Sequence, residues 1–220
     1  MAYVDFISQV HGRTKRNYLE RVLEQDKPQC IERSKKFDYD YWDGDRKTGY
    51  GGYVYDGRWR PVAEALIKHY QLKSGMKVLD VGCGKGFLMY DLMQALPGLE
   101  CQGIDISQYA IDRAKEEVKP YVRQGLAQEL PYPDKSFDLV LSINTVHNLF
   151  IYDFKKAIQE INRVQKKDAY IVVESYRNES EKMNLFYWVL TCECFFSTEE
   201  WEWLFHEFGY RGDHSFIFFE

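Results

Sequence analysis

A doubly wound, mostly parallel α/β sheet flanked by helices is the fold class this sequence predicts, and three observations predict it. Strand-like and helix-like runs alternate from residue 77 to residue 175, the succession that βα units produce. The strand-like runs VLDV, LVLSI and YIVVE are mostly aliphatic rather than alternating, as strands covered on both faces are. Between the first of them and the next helix stands Gly82-Cys83-Gly84-Lys85-Gly86, three glycines in five positions. A strand, a glycine turn and a helix in that order aim free backbone N–H groups at a ligand. With 220 residues, 45% of them hydrophobic, the chain can bury one substantial core.

Taken in order, residues 1–60 are expected to form an N-terminal helical cap and aromatic lid, and residues 61–220 the α/β domain. Up to about residue 35, patterns such as YLERVLEQ suggest helices with a narrow apolar stripe amid dense charge. Residues 37–60, FDYDYWDGDRKTGYGGYVYDGRWR, hold too much Gly and Asp for a regular helix and too many aromatics for a disordered linker. An ordered loop over a pocket fits them, with Gly49, Gly51 and Gly52 permitting close turns and Trp42 or Trp59 supplying walls. A helix follows, with Pro61 in its first turn and Gly75 past its end. The spacing then predicts strand 77–81, helix 86–96, strand 100–105, helix 107–118, a strand near 120–123, strand 137–143, helix 153–165 and strand 169–175. In the tail, Ser197 or Thr198 caps a helix whose apolar stripe runs through Trp201, Leu204, Phe205 and Phe208. Strand-like runs at 189–196 and 214–219 flank it.

The formal net charge of -5 disfavours a general nucleic-acid binder, which needs concentrated Lys and Arg. No apolar stretch approaches the ~20 residues that cross a bilayer, and the N-terminus lacks the apolar core of a signal peptide. A cytoplasmic protein with neither membrane nor nucleic-acid partner is therefore expected, its oligomeric state open and a homodimer allowed. Cysteines 30, 83, 101, 192 and 194 form no CxxC pair, so free thiols and no metal site are expected. Aromatic residues, 16% of the chain, exceed what such a core requires, and many fall in loop-like segments.

Which ligand do the glycines serve? A P-loop would need Ser or Thr after Gly-Lys, but Lys85 is followed by Gly86 and Phe87. The dinucleotide fingerprint GxGxxG fails on its third glycine. There remains a ligand without phosphate, cationic and ribose-bearing, beside which the acids Asp80 and Asp105 are welcome. VLDVGCGKG, then GIDIS, then LPYPDKSFDLVLSIN resembles class I S-adenosylmethionine-dependent methyltransferases of the small-molecule type, over about residues 62 to 175. The resemblance implies a Rossmann-like methyltransferase fold, S-adenosylmethionine as cofactor and S-adenosylhomocysteine as product. It places Asp105 on the ribose hydroxyls and Ile106 against the adenine. Asp80, the loop glycines Gly82, Gly84 and Gly86, and Asn144 would hold the rest of the cofactor. Where the family often has Gly-Asp-Ala, this chain has Gly125-Leu126-Ala127, so backbone groups at Leu126, Ala127 or Gln128 must meet the adenine amino group. The family's Lys-Pro-Gly-Gly before the fifth strand is replaced by KKDA, which predicts a longer or differently shaped turn before Tyr170.

SINTVHNLF stands at the carboxyl end of the fourth strand, where open α/β sheets place ligands. His147 there is the candidate base, its ordinary pKa of ~6.5 suiting the role; ordering the cofactor or the helix start is the alternative. The hydroxyls of Tyr50 and Tyr53 are candidates to assist it. Tyr41, Asn148, Arg58, Arg60 and Arg177, with Arg46 beside them, are candidates to hold a small polar acceptor, the arginines clamping a phosphate or carboxylate. N-methylation of a small anionic or phosphorylated amine is the leading expectation, and O-methylation of a sugar or nucleotide-linked sugar the alternative. A catalytically silent nucleoside-binding protein is a third, against which the intact Asp80, Gly82, Gly84 and Asp105 argue.

Overall fold

The computed structural model describes residues 1–12, 16–23 and 26–220. Its strands are Lys77–Val81 (β1), Glu100–Asp105 (β2), Val122–Gln124 (β3), Phe137–Ile143 (β4), Gln165–Glu174 (β5) and Asp213–Ile217 (β6). They form one sheet in the order β3-β2-β1-β4-β5-β6, and all of its pairings are parallel. Asp80 on β1 lies between Gly103 of β2 and Leu141 of β4. The strand order reverses between β1 and β4, and a crevice opens at the carboxyl ends there.

Short helices Ser8–His11 (α1), Glu20–Leu23 (α2), Lys27–Ser34 (α3) and Tyr39–Trp42 (α4) precede the sheet. The expected helical pattern through Glu24 and Gln25 lies partly outside the described residues. Arg60–His69 (α5), Phe87–Ala95 (α6), Gln108–Asp112 (α7), Ile151–Val164 (α8), Glu179–Trp188 (α9) and Thr198–Glu207 (α10) complete the α-helices of the described residues, and Lys119–Tyr121 and Val146–Asn148 are single turns of 3-10 helix. Neighbouring strand residues feed opposite cores. Val78 and Val172 join Leu66, Met89 and Leu92 on one face. Leu79 and Val173 join Ile158, Ile161 and Phe205 on the other. This two-sided burial is why those strands carry aliphatic runs with no polar alternation.

Several elements differ from expectation, each for a local reason. The helix expected to reach 118 stops at Asp112, because the Lys115 N–H bonds to the Lys85 carbonyl instead of continuing a helical ladder. No longer turn precedes Tyr170: α8 ends at Val164 and β5 begins at Gln165, pairing at once with Phe137. The run 189–196 is not a strand. Its Glu193 and Cys194 N–H groups both bond to the His147 carbonyl, which fixes it as a loop under the cavity. The helix α9 before it carries no one-sided apolar stripe to betray it and begins on an Asn178 cap. Ser197 caps α10 with the reciprocal Glu200 bond of a capping box.

The N-terminus is tied to the sheet edge. Val4 donates to the His214 carbonyl and His214 to the Ala2 carbonyl, which covers β6 and buries Phe6 and Ile7. Residues 37–60 fold down over the glycine turn. Lys85 Nζ reaches both Asp43 carboxylate oxygens at 2.6 and 2.7 Å and the Tyr53 carbonyl at 2.8 Å. Trp42 Nε1 donates to Ser107 Oγ at 2.9 Å. Among the described residues no helix is long and apolar enough to cross a membrane.

Candidate active site

The carboxyl ends of β1, β2, β4 and β5 and the folded-down segment enclose a cavity of about 520 Å³. Gly82 and Gly84 line it, with φ of +84° and +53° in the left-handed region that favours glycine. A Cβ at Gly82 would come within 2.0 Å of Thr145 Oγ1, and one at Gly84 within 2.8 Å of the Trp42 ring. Gly86, expected to touch the cofactor, does not line the cavity. It opens α6, and its missing Cβ leaves room for Val118 at 2.6 Å, so packing explains this third glycine.

Asp105, at the end of β2, is buried and oriented by two backbone donors. Gly84 N–H bonds to Oδ2 at 2.7 Å and Ser107 N–H to Oδ1 at 2.8 Å. Burial raises its pKa, and these two donors oppose the rise. Asp80 is buried beside it, and burial first and the Asp105 charge second push its pKa up to about 7. Among the described residues neither acid has an ion-pair partner. Two buried carboxylates in one cavity therefore form an electrostatic deficit that a cationic ligand relieves. Ile106 and Leu126, 49% and 39% exposed, present apolar side chains to the same cavity, with Ala127 alongside. Gln128 lines it too, and its amide oxygen is buried without a partner. Asn144, at φ +57°, closes this half where β4 ends.

The other half contains His147, on a single turn of 3-10 helix. Its Nε2 stands 3.5 Å from Glu174 Oε2, and its Nδ1 is buried without a partner. Burial, and after it the nearby His11, lowers its pKa to about 3. His147 is thus held neutral, far from the near-neutral basicity on which its expected role as base rested. Glu174, at the end of β5, moves the opposite way: burial raises its pKa to about 7, with Arg16 opposing. Asn148 takes a hydrogen bond from the Thr191 hydroxyl at 2.8 Å and also lines the cavity.

Aromatic rings form the lid side. Tyr50 stacks on Trp42 at 5.4 Å, Tyr53 on Phe87 at 4.9 Å, and Tyr41 meets Tyr50 edge-on at 5.3 Å. Burial raises the Tyr50 and Tyr53 pKa values, so both hydroxyls stay protonated at neutral pH.

The expected arginines divide. Arg58 lines the cavity but is paired with Asp56 at 2.7 Å. Arg60 pairs with Glu64 at 2.7 Å, Arg177 with Glu181 and Glu220, and neither lines the cavity. These charges are spent on surface pairs. In their place stand Arg46 and Arg21, the latter unforeseen. Arg21 is 6% exposed and donates to the carbonyls of Trp188 and Arg46 at 3.1 and 2.7 Å. Arg46 donates to the carbonyls of Gly49 and Tyr50. Their guanidinium carbons lie 4.5 and 5.1 Å from the Trp188 ring, with Arg16 on the same ring at 5.5 Å. Among the described residues no carboxylate pairs with Arg21 or Arg46. Burial, then the Arg46 charge, lowers the Arg21 pKa to about 10. Glu174 was also missed, although an acid closing the aliphatic run YIVVE repeats the pattern of Asp105 closing β2.

The sequence profile of a family described as "Methyltransferase domain" matches residues 72–209. An uncharacterized methyltransferase of Bacillus subtilis, YcgJ, is 30% identical over 130 residues, which cover 55% of this chain and 49% of that one. A demethylmenaquinone methyltransferase of Lysinibacillus sphaericus is 33% identical over 111 residues, 48% of this chain and 47% of that one. The chain spans about half the length of these curated relatives. The crystal structure of the Bacillus YcgJ protein superposes with a TM-score of 0.53 at 24% identity, covering 66% of each chain, and shows the same fold.

Proposed function

The chain belongs to the class I S-adenosylmethionine-dependent methyltransferases, and from that premise we propose that it methylates a small anionic acceptor, foremost the nitrogen of an amine that carries a carboxylate or phosphate. One observation carries the choice of acceptor: Arg21 and Arg46 present two guanidinium charges to the cavity and, among the described residues, meet backbone carbonyls and the Trp188 ring but no carboxylate. An anion there gains charge-assisted hydrogen bonds in a site already largely shielded from water.

The donor half fits the cofactor that the family implies. Asp105 would take the ribose hydroxyls, and Ile106 and Leu126 would sandwich the adenine, with the Ala127 backbone at its edge. Asp80, Asn144 and the backbone of Gly82 and Gly84 would hold the cationic methionine end. When bound, the cofactor supplies a methyl group on a sulfonium, the donor for an in-line displacement. The chain's own contribution is alignment and exclusion of water: the Trp42, Tyr50 and Tyr53 rings close over the cavity while Lys85 pins their segment to the glycine turn. Tyr41 and Asn148 would line the acceptor's place.

The test is the formation of S-adenosylhomocysteine from matched acceptors: amines with a carboxylate or phosphate against the same amines without it, and a nucleotide-linked sugar beside them. The anionic amines should be preferred, and Arg46→Met should erase the preference. Turnover of the sugar with no amine methylated would establish sugar O-methylation instead.

A further inference from the structure

Glu174 is the acid of the cavity that the donor half does not use. It closes β5 on the far side of β4 from Asp80 and Asp105, and its one ion pair among the described residues is with His147, 3.5 Å away. That partner is neutral, so it does not balance a carboxylate charge. His147 cannot move to make room for a better one, because its carbonyl is gripped by the Glu193 and Cys194 N–H groups and its ring is 1% exposed. Its Nδ1 faces no donor or acceptor. The charge facing Glu174 is that of Arg16, and His11, beyond His147, is held neutral by burial with a pKa near 3. An acid kept in a cavity beside a neutral imidazole, while arginines gather around Trp188, leaves a place for a small cation between two sites of opposite charge.

We propose that Glu174, braced by His147, is an ammonium-binding subsite, and that the acceptor is a small zwitterion whose cationic nitrogen sits on Glu174 while its anionic end sits on Arg21 and Arg46. The inference rests on the anionic-acceptor reading above and adds the residue that reads the nitrogen. The aromatic faces of Tyr41 and Tyr50, both lining the cavity, stand on the lid side of such a nitrogen and favour a cation whatever its degree of methylation.

Calorimetric titration of the full chain loaded with S-adenosylhomocysteine tests this with two matched pairs of probes: β-alanine with propionate, and 2-aminoethylphosphonate with ethylphosphonate. In at least one pair the aminated member should bind about tenfold or more tightly than its partner, the worth of one charged hydrogen bond. Glu174→Gln should bring the aminated member down to its partner's level, leaving the partner's affinity and that of S-adenosylhomocysteine within about twofold. An amine that adds nothing in the unaltered protein overturns the ammonium subsite and leaves the anionic reading standing. So does a Glu174→Gln protein that weakens both members of a pair equally. If neither propionate nor ethylphosphonate binds, with or without the amine, the anionic reading falls and the zwitterion with it. Should Glu174→Gln lose S-adenosylhomocysteine as well, Glu174→Asp replaces it, and an undiminished preference for the amine in that variant counts against the proposal.

Discussion

The half of the cavity over β1 and β2 is built on one stretch of chain, Asp80 to Ile106, with Leu126, Ala127, Gln128 and Asn144 added at its rim, whereas the half beside β4 and β5 collects Arg21, Arg46, His147, Glu174 and Trp188 from five separate places. In the first half, backbone geometry dictates the residues: left-handed φ at Gly82 and Gly84, and the Gly84 N–H fastened to Asp105. In the second, no short spacing relates the charges, which meet only because α2, the folded-down segment and the end of α9 converge on one indole ring. On the proposed reading the first half serves a ligand of fixed shape, while the second can be rebuilt residue by residue without disturbing the turn beneath it.

The sharpest way to break this contrast is Asp105→Ala. It removes the carboxylate proposed for the ribose hydroxyls and unfastens the Gly84 N–H, so affinity for S-adenosylmethionine should fall by roughly 30- to 1000-fold, about 2 to 4 kcal/mol, by calorimetry. Next in size is Arg46→Met, which should raise the KM for an anionic acceptor by about 10- to 100-fold in initial-rate kinetics, with the cofactor KM nearly unchanged.

The acidity of Asp80 sharpens the comparison further. Its pKa near 7 means that below neutrality it carries a proton that a cationic cofactor must displace. Affinity should therefore rise with pH and level off above about 7.5, and at pH 6 it should be about tenfold below the plateau. Asp80→Asn should flatten that profile. A steep profile surviving in the variant would assign the titration elsewhere. The smallest effects belong to the arginines spent on surface pairs: Arg60→Ala and Arg177→Ala should leave acceptor KM within about twofold and the melting temperature nearly unchanged, checked by kinetics and thermal melting.

The same contrast explains what the sequence made legible. β1 and β4 are legible because burial on both faces leaves mostly aliphatic residues, whereas β2, Glu-Cys-Gln-Gly-Ile-Asp, carries no such run and is legible, with Asp105 at its end, from its place about twenty residues past the glycine turn. Gly86 misled because a packing glycine and a ligand-contacting glycine look alike in a sequence; only the Val118 contact separates them. Arg60 and Arg177 misled because their acids, Glu64, Glu181 and Glu220, lie close by in sequence or in the fold and hold them outside the cavity, whereas Arg58 lines it while paired with Asp56. Arg21 had no signal at all, being one charge among many on a short helix. The loop at 189–196 read as a strand from its β-branched and aromatic residues, but its backbone donors were claimed by the His147 carbonyl.

The independence of the two halves is tested most directly by a thermodynamic cycle: S-adenosylmethionine affinity of the unaltered protein, Asp105→Ala, Arg46→Met and the double variant, by calorimetry. If the halves are independent, Arg46→Met changes cofactor affinity by less than about threefold in either background, with the two effects additive within about 0.5 kcal/mol. A loss on Arg46→Met as large as that on Asp105→Ala, or a strong coupling between them, would contradict that independence.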